Sequence, residues 1–118
     1  MPETITFRVE YNGVLAGEAK IKSLRWYNRK AEVSLFLSPQ FRSKGIGRSA
    51  MEKLIDYAFN TLDLHRLEAE IYDYNNDSAL LAEKLGFIKE GVLREAKYYD
   101  GKYYDIIRFG LLKKEYNN

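Results

Sequence analysis

Residues 31–62 read AEVSLFLSPQFRSKGIGRSAMEKLIDYAFNTL, and inside them the spacing of apolar residues changes from strand to helix. Ala31, Val33, Leu35 and Leu37 alternate with Glu32, Ser34 and Phe36, which predicts a strand with one buried face. Pro39 ends it, since proline has no N–H to give to a ladder. From Ala50 onward Met51, Leu54, Ile55, Ala58, Phe59 and Leu62 recur on one side of a helix. The connecting loop is Gln40-Phe41-Arg42-Ser43-Lys44-Gly45-Ile46-Gly47-Arg48. Two glycines one residue apart let successive N–H groups turn towards one point, and the helix start adds unpaired N–H groups and a positive dipole end. A phosphate fits such a cradle. Arg42, Lys44 and Arg48 add charge suited to a ligand with several phosphates.

Upstream, Ile5, Phe7, Val9 and Tyr11 alternate with Thr6, Arg8 and Glu10, and Asn12-Gly13 supplies a tight hairpin turn. The chain returns through Ala19 and Ile21 towards Trp26, so the opening is an antiparallel meander. Downstream, Leu67, Ala69 and Ile71 predict a fourth strand. A second helix is expected from about Asp77 to Leu85, capped by Asn75, Asn76 or Asp77 and stopped by Gly86. A last hairpin is read from Val92 to Leu112, turning at Asp100-Gly101. Tyr116 to Asn118 are expected to be a loose end. The fold class is α+β: a mixed, mostly antiparallel sheet flanked by helices, in a single domain over residues 1–118.

Composition narrows the chemistry. A formal net charge of +2 over 118 residues gives no field that argues for nucleic acid. Without cysteine there is no disulfide, thiolate nucleophile or thiolate metal site, and no metal is expected. The N-terminus carries no signal-peptide pattern, and no apolar run approaches the ~20 residues that cross a bilayer, so a cytoplasmic protein without membrane contact is expected. Two rival phosphate motifs are weighed. The string GxxxxGK[ST] is absent. Gly45-Ile46-Gly47-Arg48-Ser49-Ala50 does match the GxGxxA dinucleotide pattern, with Glu68 as the ribose acid. Against it, the strands before the loop read as hairpins rather than a βαβ unit, and Glu68 would fall inside a strand.

Arg42-Ser43-Lys44-Gly45-Ile46-Gly47 resembles the R/Q-x-x-G-x-G/A pyrophosphate loop of the GNAT acetyltransferase superfamily. Asn75-Asn76-Asp77-Ser78 followed by Leu80-Leu81-Ala82-Glu83-Lys84-Leu85-Gly86-Phe87 resembles that family's N-x-x-S and LLEKLGF segments in the same order. The tail, from Glu90-Gly91-Val92-Leu93-Arg94-Glu95 to Gly101-Lys102-Tyr103-Tyr104-Asp105, is similar to the branch holding ribosomal-protein, diamine and amino-sugar N-acetyltransferases.

The resemblance implies an acetyl-CoA-dependent N-acetyltransferase in which a primary amine, on a small molecule or a protein N-terminus, attacks the thioester directly. The backbone of Leu35, Phe36 and Leu37 would pair with the pantetheine arm like an added strand and offer N–H groups to the oxyanion. Arg42, Ser43, Lys44, Gly45, Ile46, Gly47 and Arg48 would hold the pyrophosphate. Asn75 would contact the cofactor arm, its other reading being a helix cap. Ser78 would touch the cofactor or relay a proton, or simply cap. Glu32, where family members often carry a glutamate, would deprotonate the amine, whose pKa near ~10 requires a base; its other reading is an exposed strand carboxylate. Ala82 stands where many relatives have a tyrosine that protonates the leaving thiolate. That departure keeps a second reading open, an acyl-CoA-binding module or regulatory subunit without turnover. His65 reads as structural or exposed. Tyr98, Tyr99, Tyr103 and Tyr104 either line an amine pocket or pack. Relatives open with a further strand and one or two helices, so the fold is expected to be N-terminally short and to self-associate, as a dimer or other homo-oligomer.

Overall fold

Asn12 and Gly13 take φ of 52° and 80°, which sets the first hairpin between strands β1 (Ile5–Tyr11) and β2 (Val14–Arg25). Strand β3 (Lys30–Leu37) follows, then a 3₁₀ turn over Pro39–Phe41 and helix α1 (Ile46–Asp56). Strand β4 (Arg66–Tyr72), helix α2 (Asn76–Lys84) and the long hairpin of β5 (Ile88–Tyr99) and β6 (Lys102–Leu112) complete the sheet. This computed structural model describes residues 3–42 and 44–116; Ser43 lies outside the described residues. The six described strands run in the order β1-β2-β3-β4-β6-β5, and β3–β4 is the parallel neighbour in an otherwise antiparallel sheet. The expected α+β class is the one observed.

Odd-numbered residues of β1 to β3 supply the buried face. Val9, Ala19, Ile21, Ala31, Val33 and Leu37 point there, with Leu67 and Ile71 of β4 and Phe109 and Leu111 of β6. Met51, Leu54 and Ile55 of α1, then Ala58 and Phe59, cover it. Phe59, Ile55, Ile21, Leu64, Leu67 and Leu111 have under 2% of their surface exposed. Each is worth about 1.5–3 kcal/mol of burial. The opposite face carries Thr6, Arg8, Glu18, Glu32, Phe36 and Glu70, none of them buried. The sheet therefore has one packed and one open face, as alternation predicts.

Several details differ from the sequence reading. The end of the first helix is a π-helical turn over Tyr57–Thr61, and the last hairpin begins at Ile88 rather than Val92. Tyr116 is not loose. It ends a short helix, α3 (Lys113–Tyr116), and its ring centroid is 5.5 Å from that of Phe59. The strands before the loop do form antiparallel hairpins, but β3, α1 and β4 together make a parallel βαβ crossover, so that objection to a dinucleotide site loses its force. The other objection stands. Glu68 lies inside β4 with its carboxylate 2.8 Å from Arg66 Nε, not at a strand end.

Gly17 was not singled out by sequence reasoning, yet it fixes where β3 lies. An ideal Cβ there would sit 1.9 Å from the carbonyl oxygen of Phe36. Backbone cannot swing aside as a side chain can. Gly17→Ala should cost about 1–3 kcal/mol by overpacking, read as a lower urea midpoint with unchanged slope; wild-type stability would show that β2 and β3 are further apart than described.

Candidate active site

Parallel pairing of β3 with β4 covers only Lys30–Glu32 against Arg66–Glu68, after which the two strands part. A strand residue directs its N–H and C=O to the same side, and neighbours alternate. Ser38 N–H donates to Ala16 O on β2 at 2.9 Å, and the Phe36 carbonyl crowds Gly17. The main-chain groups of Phe36 thus face β2, and those of Leu35 and Leu37 face the gap. The Leu37 carbonyl accepts from Arg42 Nε at 3.0 Å. What remains open to the gap is the N–H and C=O of Leu35 and the N–H of Leu37. Phe36 is corrected accordingly. Its backbone is spent on β2, and its side chain, 59% exposed, borders the site.

The loop leads straight into α1. Gly45 caps the helix at φ 77°, a left-handed conformation that side chains disfavour, and the N–H groups of Ile46, Gly47 and Arg48 begin the helix without helical partners. Gly47 answers a different need. A Cβ would lie 3.1 Å from Leu35 Cδ2 and 3.4 Å from Leu37 Cδ1, so glycine lets the helix start press against β3. Ile46 buries its side chain in the core and can offer only its main chain. Lys44 borders a separate groove beside β1.

Helix α2 closes the third side. Asn75 Oδ1 accepts from Ser78 N–H at 3.2 Å, so the cap reading holds, and the side chain also borders the gap. Leu35, Phe36, Leu37, Arg42, Gly45, Gly47, Arg48, Asn75 and Ser78 line one cavity of about 490 Å³, within the range of ligand clefts. Asp77, Leu80, Leu81 and Lys84 line it too and were missed. Their helical spacing after Asn75 marks one face of α2 and was the available signal. Ala82 is 6% exposed and faces the core instead.

Glu32 does not line this cavity but stands at the last paired rung, on the open face where the gap begins. Its register neighbours are Lys22 on β2 and Glu68 on β4. Glu68 is engaged by Arg66 at 2.8 Å, Arg108 at 3.5 Å and Lys30 at 3.9 Å. Glu70 pairs with Arg108 at 3.0 Å, and the Arg66 guanidinium hydrogen-bonds Glu90, holding that carboxyl below its usual range. Glu32 has no ion pair among the described residues. His65 is exposed and bonded through its main chain, to Arg29 and Lys113. Tyr98, Tyr99 and Tyr103 are exposed at the far hairpin tip and line neither cavity. Among the described residues no cluster of His, Asp and Glu fits a metal, and no helix is long and apolar enough to cross a membrane.

A mixed sheet parts beside a glycine-capped helix start, and an asparagine-capped helix lies across the gap, leaving one elongated cleft between them. Comparisons agree. The model of the Acetyltransferase (GNAT) domain matches residues 1–107. The chain is 37% identical over 106 residues to the "Putative ribosomal N-acetyltransferase YdaF" of Bacillus subtilis (strain 168), covering 90% of this chain and 58% of that protein. It is 32% identical over 111 residues to the spermidine N(1)-acetyltransferase of Escherichia coli (strain K12), covering 93% of this chain and 59% of that enzyme. The crystal structure of spermidine N-acetyltransferase from Vibrio cholerae in complex with CoA and spermine superposes with a TM-score of 0.92 at 27% identity, over 98% of this chain and 68% of that one. This chain belongs to the GNAT acetyltransferase family. It spans under two thirds of the two curated relatives' length.

Gly47→Val should push against Leu35 and lower acetyl-CoA affinity at least tenfold, roughly the effect of losing one or two charge-assisted hydrogen bonds, with circular dichroism unchanged. Unaltered affinity by calorimetry would remove the helix start from the site.

Proposed function

We propose that this chain, as one domain over residues 1–118, binds acetyl-CoA in the cavity between β3, the start of α1 and α2, and passes the acetyl group to a primary amine. The single observation that carries the reading is the parted strand pair, which leaves Leu35 and Leu37 main-chain groups facing a cavity that also receives the N–H groups at Gly45–Arg48. In this reading the pantetheine amides pair with Leu35 and Leu37 as an added strand. The pyrophosphate lies on the helix start, with the unbonded nitrogens of Arg42 and with Arg48 beside it. Ser43 and Lys44 are retained as loop contacts through main chain or charge.

The chemistry follows from the cleft's two ends. Glu32 takes a proton from the alkylammonium, directly or through water, and the free amine attacks the thioester carbonyl carbon. Negative charge develops on the carbonyl oxygen and is met by the Leu35 N–H. The C–S bond then breaks, and CoA leaves as thiolate or takes a proton through Ser78. No step needs a metal. The acceptor is a primary amine on a small molecule or a protein N-terminus; the small-molecule arm is supported by the relatives named as spermidine N(1)-acetyltransferases. A second reading, acyl-CoA binding without turnover, is favoured by the buried Ala82, which offers no hydroxyl to the thiolate.

Glu32→Gln should reduce kcat by about 10²-fold or more, the usual share of a general base, while acetyl-CoA affinity stays within about twofold. Thiol release with spermidine and with peptide amines measures both. A parent-like rate and pH profile would remove Glu32 as base; tight acetyl-CoA binding with no amine-dependent thiol release would favour the binding module.

A further inference from the structure

Between β4 and α2 lies a short connector, Asp73-Tyr74-Asn75. Asn75 N–H donates to the Tyr72 carbonyl at 2.9 Å, which closes a tight turn and aims the helix start. The aim matters for a ligand. Asn75 Oδ1 is engaged by the Ser78 cap, so the side chain has the two hydrogens of Nδ2 to offer the cavity, in a direction that this turn fixes.

Two sets of contacts hold the connector, and both come from the β5–β6 hairpin. Asp73 N–H donates to the Asp105 carbonyl at 3.0 Å, and Asp105 N–H donates back to Asp73 Oδ2 at 3.2 Å. A further antiparallel rung would return that second bond to the Asp73 carbonyl. The carboxylate takes its place, and the main chain leaves the sheet for the turn. Asp105 Oδ1 also accepts from Glu95 N–H at 2.8 Å, stitching the β5 bulge where Glu95 takes φ 48°. The other set is aromatic. The Tyr74 ring stacks on those of Tyr72 and Tyr99, with centroids 5.6 Å and 5.2 Å away, and meets Tyr104 edge-on at 4.7 Å. Asp73, Tyr74 and their hairpin partners do not line the cavity that Asn75 and Ser78 border.

We propose that Asp73 and Tyr74 are positioning residues for acetyl-CoA: held by the β5–β6 hairpin, they set the turn that presents Asn75 to the pantetheine arm. This rests on the reading of the cavity between β3, α1 and α2 as the acetyl-CoA site. A connector released from the hairpin samples other turns, and a ligand that needs one of them loses affinity in proportion to the fraction that stays competent. Side chains outside the cavity thus govern cofactor affinity through Asn75.

Calorimetry with acetyl-CoA on the whole chain tests the proposal through a double-mutant cycle, with circular dichroism to check that each variant is folded. Tyr74→Leu, which keeps an apolar side chain but no ring, and Asp73→Ala should each weaken acetyl-CoA by about three- to tenfold, the worth of one hydrogen bond. Tyr74→Phe keeps the ring and Asp73→Asn keeps an acceptor oxygen, so both should restore wild-type affinity. Asn75→Ala should cost as much as Tyr74→Leu. Adding Tyr74→Leu to Asn75→Ala should then cost no more than about a further twofold, because changes that act through one contact do not add. A merely structural role for Tyr74 would weaken binding equally in both backgrounds. Wild-type affinity in Tyr74→Leu and Asp73→Ala, or the full loss on top of Asn75→Ala, would overturn the positioning role and leave the acetyl-CoA site in place. A wild-type chain with no affinity for acetyl-CoA would overturn that site and this inference together.

Discussion

The parting of β3 from β4 after Glu32 and Glu68 is the constraint on which the rest of the site depends. A parallel pair that stayed together would bond Leu35 and Leu37 to β4 and leave nothing for a ligand arm. On the packed face, Leu35, Leu37 and Leu81 gather around Gly47, whose missing side chain lets α1 begin against β3. Gly17 sets the other boundary, because its bare Cα allows the Phe36 carbonyl to turn into β2. Unpaired backbone is costly when buried and cheap when it borders a cleft, so the same feature that weakens the sheet supplies the binding edge.

Electrostatics on the open face sorts carboxylates that the sequence does not rank. Glu32, Glu68 and Glu70 look alike as alternating strand residues. In space Glu68 is bound to Arg66, Lys30 and Arg108, and Glu70 to Arg108, so the charges of both are offset within the sheet. Gly110 contributes to this arrangement. A side chain there would stand 2.5 Å from the Glu90 carboxylate that completes the Arg66 cluster. Glu32, at the fork, makes no ion pair among the described residues.

Much of this was legible in the residues. Alternation in 31–37, the helical spacing after Ala50 and the glycines of the loop mark β3, α1 and the helix start between them, because each is a local signal. The signals that failed are non-local. Whether the main chain of Phe36 or of Leu35 faces the gap depends on the pairing of β3 with β2, as does the role of Gly17. The parallel contact of β3 with β4 joins residues separated by a whole helix, and the sequence reading left it out. Lys84, Leu81 and Asp77 line the cavity only because α2 lies across the gap. Tyr116 looked loose because its partner, Phe59, lies on a distant element.

Amide hydrogen exchange followed by NMR, with and without acetyl-CoA, tests the central claim most directly. The account predicts slower exchange on binding at Leu35 and Leu37, where N–H groups face the gap, and at Ile46, Gly47 and Arg48 at the helix start, with the β5–β6 tip unchanged. Saturating acetyl-CoA that leaves Leu35 and Leu37 exchanging at their free rates, while protecting amides elsewhere, would contradict it.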